Sequence, residues 1–514
     1  MLEGYWKRLL ALLAHIGLYA RALAKWLLLA AVTGCCCGVV GALFHIGVHE
    51  ATALREDHPW LLWCLPLAGL AIVGLYKLTK TEGQGTNDII DAVHHGKGLR
   101  IWLLPAIFFS TVLTHLCGGS AGREGAALQM GGTIGYYTGH LFGLDDRDMR
   151  TATMTGMAAF FAALFGTPLT ATIFAIVVIS IGVMYHAALI PCLTASLVAY
   201  WISVEMGVEP TRFAVQAPEL AGGTLLRVAV LGAGCALVSV IFCGAVHGAE
   251  RQLKRRIPNP WLRAVAGGCA IIALTYLCGT TDYNGAGMEV ITAAVEQGSA
   301  HPVAFLLKIL FTAITLGAGF KGGEVVPSFF VGATFGCVAG PLLGLSAEFA
   351  AAVGLVAVFC AAVNCPMASI FLSVELFGDG GLLYFALACG VSYMLSGYNG
   401  LYSSQTILYS KLKARYINVQ TNAHHAGLLA EHTQHAGGAA QSGDIPFEAA
   451  DVVHEIFSRR IELHVERNAR SRVPLAYMGV PGRQRLEFRK PCAFHRYRLS
   501  LRRAGDEHQA HHCP

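Results

Sequence analysis

Two acidic residues stand where the chain is otherwise apolar enough for a membrane. Glu124 lies in Gly118-Gly119-Ser120-Ala121-Gly122-Arg123-Glu124-Gly125, between an uncharged run over residues 103–116 and an apolar run over 125–141. Glu324 lies in Gly322-Gly323-Glu324-Val325-Val326-Pro327-Ser328-Phe329-Phe330, after the largely apolar run 305–320. A carboxylate at membrane depth is costly and is usually functional. The flanking glycines permit unusual backbone angles and close approach, and a helix starting near Glu124 leaves unpaired N–H groups facing the site. Such a helix end favours an anion, so the chemistry on offer is anion binding beside an ionisable group. The competing reading of the first motif is a glycine-rich turn with an Arg123–Glu124 ion pair.

The elements that would position these acids recur. A Gly-x-Gly stretch precedes each motif, Gly83-Gln84-Gly85-Thr86-Asn87 before the first and Gly285-Ala286-Gly287 before the second. Downstream, Phe161-Ala162-Ala163-Leu164-Phe165-Gly166-Thr167-Pro168 is matched by Phe359-Cys360-Ala361-Ala362-Val363-Asn364-Cys365-Pro366. A duplication whose hydrophobic segments are interrupted by Gly and Pro at matching places points to a transporter, with its site between the repeats at discontinuous helices. Glu324 then reads as the counterpart of Glu124.

With Gly400-Leu401-Tyr402-Ser403 near the end of the apolar region, these motifs resemble the anion-site signatures of the CLC chloride channel and transporter family, over roughly residues 25–415. The resemblance implies an all-α polytopic membrane protein, an inverted repeat of tilted and broken helices, assembled as a homodimer with one pore per subunit. Within the family, Gly-Gly-Ser-Ala-Gly-Arg-Glu-Gly and Gly319-Phe320-Lys321-Gly322-Gly323-Glu324-Val325 are similar to the fluoride/proton antiporter branch, CLC-F. Glu124 corresponds to the gating glutamate, which competes with the anion when ionised and carries a proton when it swings aside. Tyr402 resembles the inner tyrosine that faces the central anion, and Phe330 resembles a ring contact of the fluoride branch, whose positive edge suits an anion. The conventional antiporters carry an inner acid about ten residues after the proline matching Pro168; Val177-Val178 stand there, and Glu324 fills that vacancy as in the fluoride branch.

An anion entering low dielectric needs donors that replace water without trapping it, namely backbone N–H groups and a few hydroxyls or amides. Thr86 and Asn87 are candidates from the first Gly-x-Gly loop, which lacks the serine-proline pair of the chloride-selective branches. The backbone around Gly122, Arg123 and Gly125, and around Gly323, Val325 and Val326, completes the candidate anion-binding set. Val326 stands where the fluoride branch has a hydroxyl residue, which favours the alternative of a chloride channel or chloride/proton antiporter. Two carboxylates near one anion cannot both stay charged cheaply: at an effective dielectric of about 20, unit charges about 5 Å apart repel by roughly 3 kcal/mol.

Composition agrees with a lipid bilayer. The 514 residues are 54% hydrophobic and 13% charged, with a mean hydropathy of +0.53, which excludes an ordinary soluble enzyme of this size. Twelve apolar stretches long enough to enter a bilayer are expected, at 26–48, 60–78, 101–116, 125–141, 151–184, 187–202, 225–246, 264–277, 303–320, 325–343, 347–377 and 382–395. Basic residues cluster before the first stretch (Lys7, Arg8, Arg21, Lys25), between the repeats (Arg251, Lys254, Arg255, Arg256) and after the last (Lys411, Lys413, Arg415). The positive-inside rule makes all three regions cytoplasmic in a cell-membrane protein. The net charge of +5 gives no reason to expect a nucleic-acid partner.

The expected organisation is a cytoplasmic amphipathic segment 1–25, a first transmembrane repeat 26–247, a basic linker 248–261, a second repeat 262–411 and a cytoplasmic, partly disordered tail 412–514, in which no feature of residues 418–514 is tied to the pore. The 16 cysteines lie mostly in apolar surroundings and show no CxxC pair, so neither disulfides nor a metal site is read from them. The tail histidines reflect biased composition, and no cofactor is expected. An intramembrane hydrolase using both glutamates would need a metal triad or an activated nucleophile within the apolar runs, and none is visible; the chain reads as a transporter, not an enzyme.

Overall fold

The computed structural model describes residues 2–96, 98–411 and 416–422, without the side chains of residues 2–12 and 14. The first half comprises α1 (Leu2–Asp57), α2 (Leu65–Leu78), α3 (Thr86–His95), α4 (Leu103–Leu116), α5 (Glu124–Leu141), α6 (Asp146–Phe165), α7 (Pro168–Val177) and α8 (Leu189–Glu205). The second comprises α9 (Gly222–Arg256), α10 (Pro260–Cys278), α11 (Met288–Glu296), α12 (Ala304–Ala318), α13 (Val325–Leu342), α14 (Ala347–Val363), α15 (Pro366–Phe377) and α16 (Leu382–Leu395). The order of long and short helices repeats from one half to the other, as the duplicated motifs require. Among the described residues six helical stretches are long and apolar enough to cross a membrane, and further apolar helices of 10–17 residues accompany them. The chain is therefore an all-helical, multi-pass membrane protein.

Several expected boundaries change. Residues 1–25 are not set off from the first span, because Leu2–Asp57 is one unbroken helix. The apolar runs 151–184 and 347–377 each divide into two helices. Gly166 closes α6 and Asn364 closes α14, both in the left-handed backbone region, and a proline starts the next helix. Proline has no N–H to lose at a first turn, so it restarts a helix at no hydrogen-bond cost.

The helices are packed by small residues, which lets backbones meet where water cannot drive association. A Cβ on Gly131 would lie 2.4 Å from the Gly156 carbonyl oxygen, and one on Gly332 would lie 2.3 Å from that of Gly354. Each contact locks the helix that follows an acidic motif, α5 or α13, to its neighbour.

Besides the helices there is a small sheet of order β1-β2-β3, from Ser180–Ile181, Thr406–Tyr409 and Tyr416–Gln420. β1 pairs parallel with β2, and β3 antiparallel. Residues 416–422 of the expected tail are thus built into the fold, whereas the rest of 412–514 lies outside the described residues.

Candidate functional site

The two acidic motifs meet back to back. The Gly122 N–H donates to the Gly323 carbonyl at 2.8 Å and the Gly323 N–H to the Gly122 carbonyl at 2.7 Å, an isolated antiparallel bridge between the halves. Only glycine fits, since a Cβ on Gly323 would lie 2.5 Å from the Gly125 nitrogen and one on Gly322 would lie 2.4 Å from the Ala121 Cβ. α5 and α13 start directly after the bridge, so their free N–H groups gather at one place.

The Glu124 side chain takes those donors. Its Oε2 accepts from the Arg123 N–H at 3.0 Å and from the Val326 N–H at 3.2 Å, one from each half. Its Oε1 is buried without a partner. A carboxylate on two helix N-termini occupies the place that a small anion would take. Val326 joins through its backbone, so the missing side-chain hydroxyl does not remove this donor.

The register between the motifs is shifted by one residue from the sequence expectation. Arg123 is the N-cap of α5 and Glu324 is the N-cap of α13. Glu324 is therefore the counterpart of Arg123, and Glu124 corresponds to Val325. Glu324 lines a cavity of about 520 Å³ together with Thr86, Asn87, Gln129, Glu250, Lys254, Lys321 and Tyr402. This cavity opens on the side of the basic linker. A second cavity, about 400 Å³, is lined by Arg55, His115, Arg123, Asn284, Gly287 and Val326. Glu124 lines neither cavity, but Arg123 and Val326, whose N–H groups hold its carboxylate, line the second.

The remaining candidates divide. Tyr402 is buried, and its hydroxyl finds no partner among the described residues, as a group awaiting a ligand would. Thr86 donates to the Gly125 carbonyl at 3.3 Å, touching the first turn of α5. Asn87 instead accepts from the Ser404 N–H at 3.1 Å, so it supports the loop that carries Tyr402. Phe330 is fully buried and lines neither cavity; it packs on Tyr283 at 6.3 Å between ring centroids and beneath the Lys308 ammonium at 5.0 Å. Val177 and Val178 are buried, so no carboxylate occupies that place. Lys321 forms no ion pair with Glu324; its ammonium lies 4.3 Å from the centre of the Tyr76 ring.

Three contributors escaped the sequence reading. Gln129 donates to the Thr86 hydroxyl at 3.3 Å and leaves its own carbonyl oxygen unpartnered at the linker-side cavity. Its signal was a lone amide one turn into an apolar helix. Thr421 donates to the Tyr402 carbonyl, and Asn422 accepts from the Gly400 N–H at 3.1 Å and donates to the Gly400 carbonyl at 2.7 Å. Thr421 and Asn422 therefore hold the Tyr402 loop, contrary to the expectation that 418–514 is untied to the pore.

Paired helix ends from two halves, closed by a carboxylate and flanked by a cavity on each side, define a membrane anion-transport protein built on broken helices. Residues 68–397 match the profile of the voltage gated chloride channel family, and the chain belongs to that family. It is 38% identical over 398 residues to a chloride/fluoride channel protein of Pseudomonas syringae pv. tomato, covering 76% of this chain and 88% of the relative. It is 28% identical to an H(+)/Cl(-) exchange transporter of Vibrio cholerae, covering 68% of this chain and 81% of the relative. Among solved structures it is similar to a CLC-type fluoride/proton antiporter, with a TM-score of 0.73 and 35% identity over 74% of this chain and 98% of the other. A slow cyanobacterial Cl-/H+ antiporter shares the fold, at a TM-score of 0.62 and 21% identity over 72% and 94%.

Proposed function

We propose that this protein exports fluoride from the cytoplasm in exchange for protons. The observation that carries the reading is the Glu124 carboxylate seated on the Arg123 and Val326 N–H groups, where it competes directly with an anion for the same donors. The likeness to a fluoride/proton antiporter supports fluoride as the anion and proton as the counter-substrate. In the exchange, an anion from the linker-side cavity reaches Thr86, Tyr402 and Gln129 and displaces Glu124 from its donors. Glu124 takes up a proton on leaving them, since a neutral acid surrenders the site cheaply. When it returns, that proton passes toward Glu324, which supplies a carboxylate at the linker-side cavity where Val177 and Val178 supply none.

The linker-side cavity faces the cytoplasm under the positive-inside rule, with Lys254 and Arg263 in its wall. The protein works as a homodimer with one pathway per protomer in the cell membrane, as a transporter and not an enzyme. A chloride channel or chloride/proton antiporter is the second reading, favoured by the absence of a hydroxyl on Val326. Efflux from liposomes read with fluoride and chloride electrodes separates the two. Fluoride should leave at least tenfold faster, and equal efflux would overturn the fluoride assignment while leaving family membership intact.

A further inference from the structure

Lys308 is a cation buried on the far side of the pathway at a place where the other half of the chain carries an apolar residue. Lys308, five residues into α12, is fully buried, and the corresponding place five residues into α4 is Ile107. The Lys308 ammonium donates to the Gly285 carbonyl at 2.8 Å and the Tyr283 carbonyl at 3.2 Å, and lies over the face of Phe330. Among the described residues no carboxylate pairs with it. A buried ammonium without a counter-ion costs several kcal/mol, so a folding role alone explains it poorly when the other half uses isoleucine at this place.

The segment it grips leads to the site. The Gly285 N–H donates to the Gly119 carbonyl at 3.1 Å, and the Asn284 amide donates to the Gly118 carbonyl at 2.7 Å. The stretch from Gly118 runs directly into the Gly122 bridge and Glu124, and Asn284 and Gly287 form part of the far cavity wall. Ungripped carbonyls beside that cavity would present negative dipoles to a departing anion.

We propose that Lys308 is a positioning residue for anion exit: it fixes the 283–287 loop against the Glu124 motif and offsets its carbonyl dipoles, so that the far cavity accepts an anion. The inference rests on anion translocation and not on which halide is moved.

The test compares wild type, Lys308→Met, Lys308→Gln and Lys308→Arg in liposomes, with fluoride and chloride efflux measured per folded protein. Met and Gln should raise the anion KM at least fivefold, and Arg should restore it to within twofold of wild type. A Gln variant with the wild-type KM would show that the charge is not needed and overturn the proposal. So would an Arg variant as impaired as Met, or failure of all three variants to fold, which would assign Lys308 to folding alone. If wild type moves chloride and not fluoride, the fluoride reading falls and the same comparison is read in chloride.

Discussion

The carboxylate of Glu124, the first residue of α5, accepts a hydrogen bond from the backbone N–H of Val326, the second residue of α13, at 3.2 Å. The acid of one half thus plugs the anion-binding helix end of the other. A neutral amide at this position still accepts from both N–H groups but cannot titrate. Glu124→Gln should abolish fluoride-driven proton uptake in liposomes, with anion flux either frozen or left as passive leak. Unchanged proton uptake would remove Glu124 from the mechanism.

The bridge under that contact tolerates no side chain. A Cβ on Gly323 would also lie 2.7 Å from the Glu124 nitrogen, so the clash falls on backbone, which cannot swing away. Gly323→Ala should cost about 1–3 kcal/mol by overpacking and lower the thermal transition of the purified protein. Gly390→Ala, in α16 with nothing within 4 Å of the added Cβ, serves as the control and should leave the transition unchanged. Equal transitions for both variants would show that the bridge yields.

Truncation should divide the tail at residue 422. Removing everything after Asn422 should leave transport near wild type at matched protein amounts. Removing residues from 416 onward deletes β3, Thr421 and Asn422, frees the Gly400–Tyr402 loop and should reduce flux at least tenfold. Full activity of the shorter chain would show that the loop holds its shape unaided.

Much of this site was legible because glycine and proline punctuate it. The starts of α5, α7 and α15 fall at Glu124, Pro168 and Pro366, as the motifs indicated, and α13 starts one residue after Glu324. That one-residue difference makes Arg123 the counterpart of Glu324, and only the Gly122–Gly323 pairing reveals it, because spacing alone does not set a bridge register. Phe330 stands out only by its resemblance to a ring contact of the fluoride branch, and ring contacts depend on which helix face meets which neighbour. Lys308 was invisible because a single cation in an apolar run reads equally as a snorkelling side chain. β3 is five residues long and stable only against β2, so no local pattern announces it.

Exchange turns on two acids that hand on one proton. The most direct test is fluoride efflux and proton uptake recorded together in liposomes for wild type, Glu324→Gln and Lys321→Met. Glu324→Gln keeps size and hydrogen bonding while removing titration. It should cut fluoride/proton exchange at least tenfold with folding intact, and Lys321→Met should leave the coupling of proton to fluoride unchanged. Wild-type exchange by the Glu324→Gln protein would contradict the account and leave Glu324 as a charge on a cavity wall.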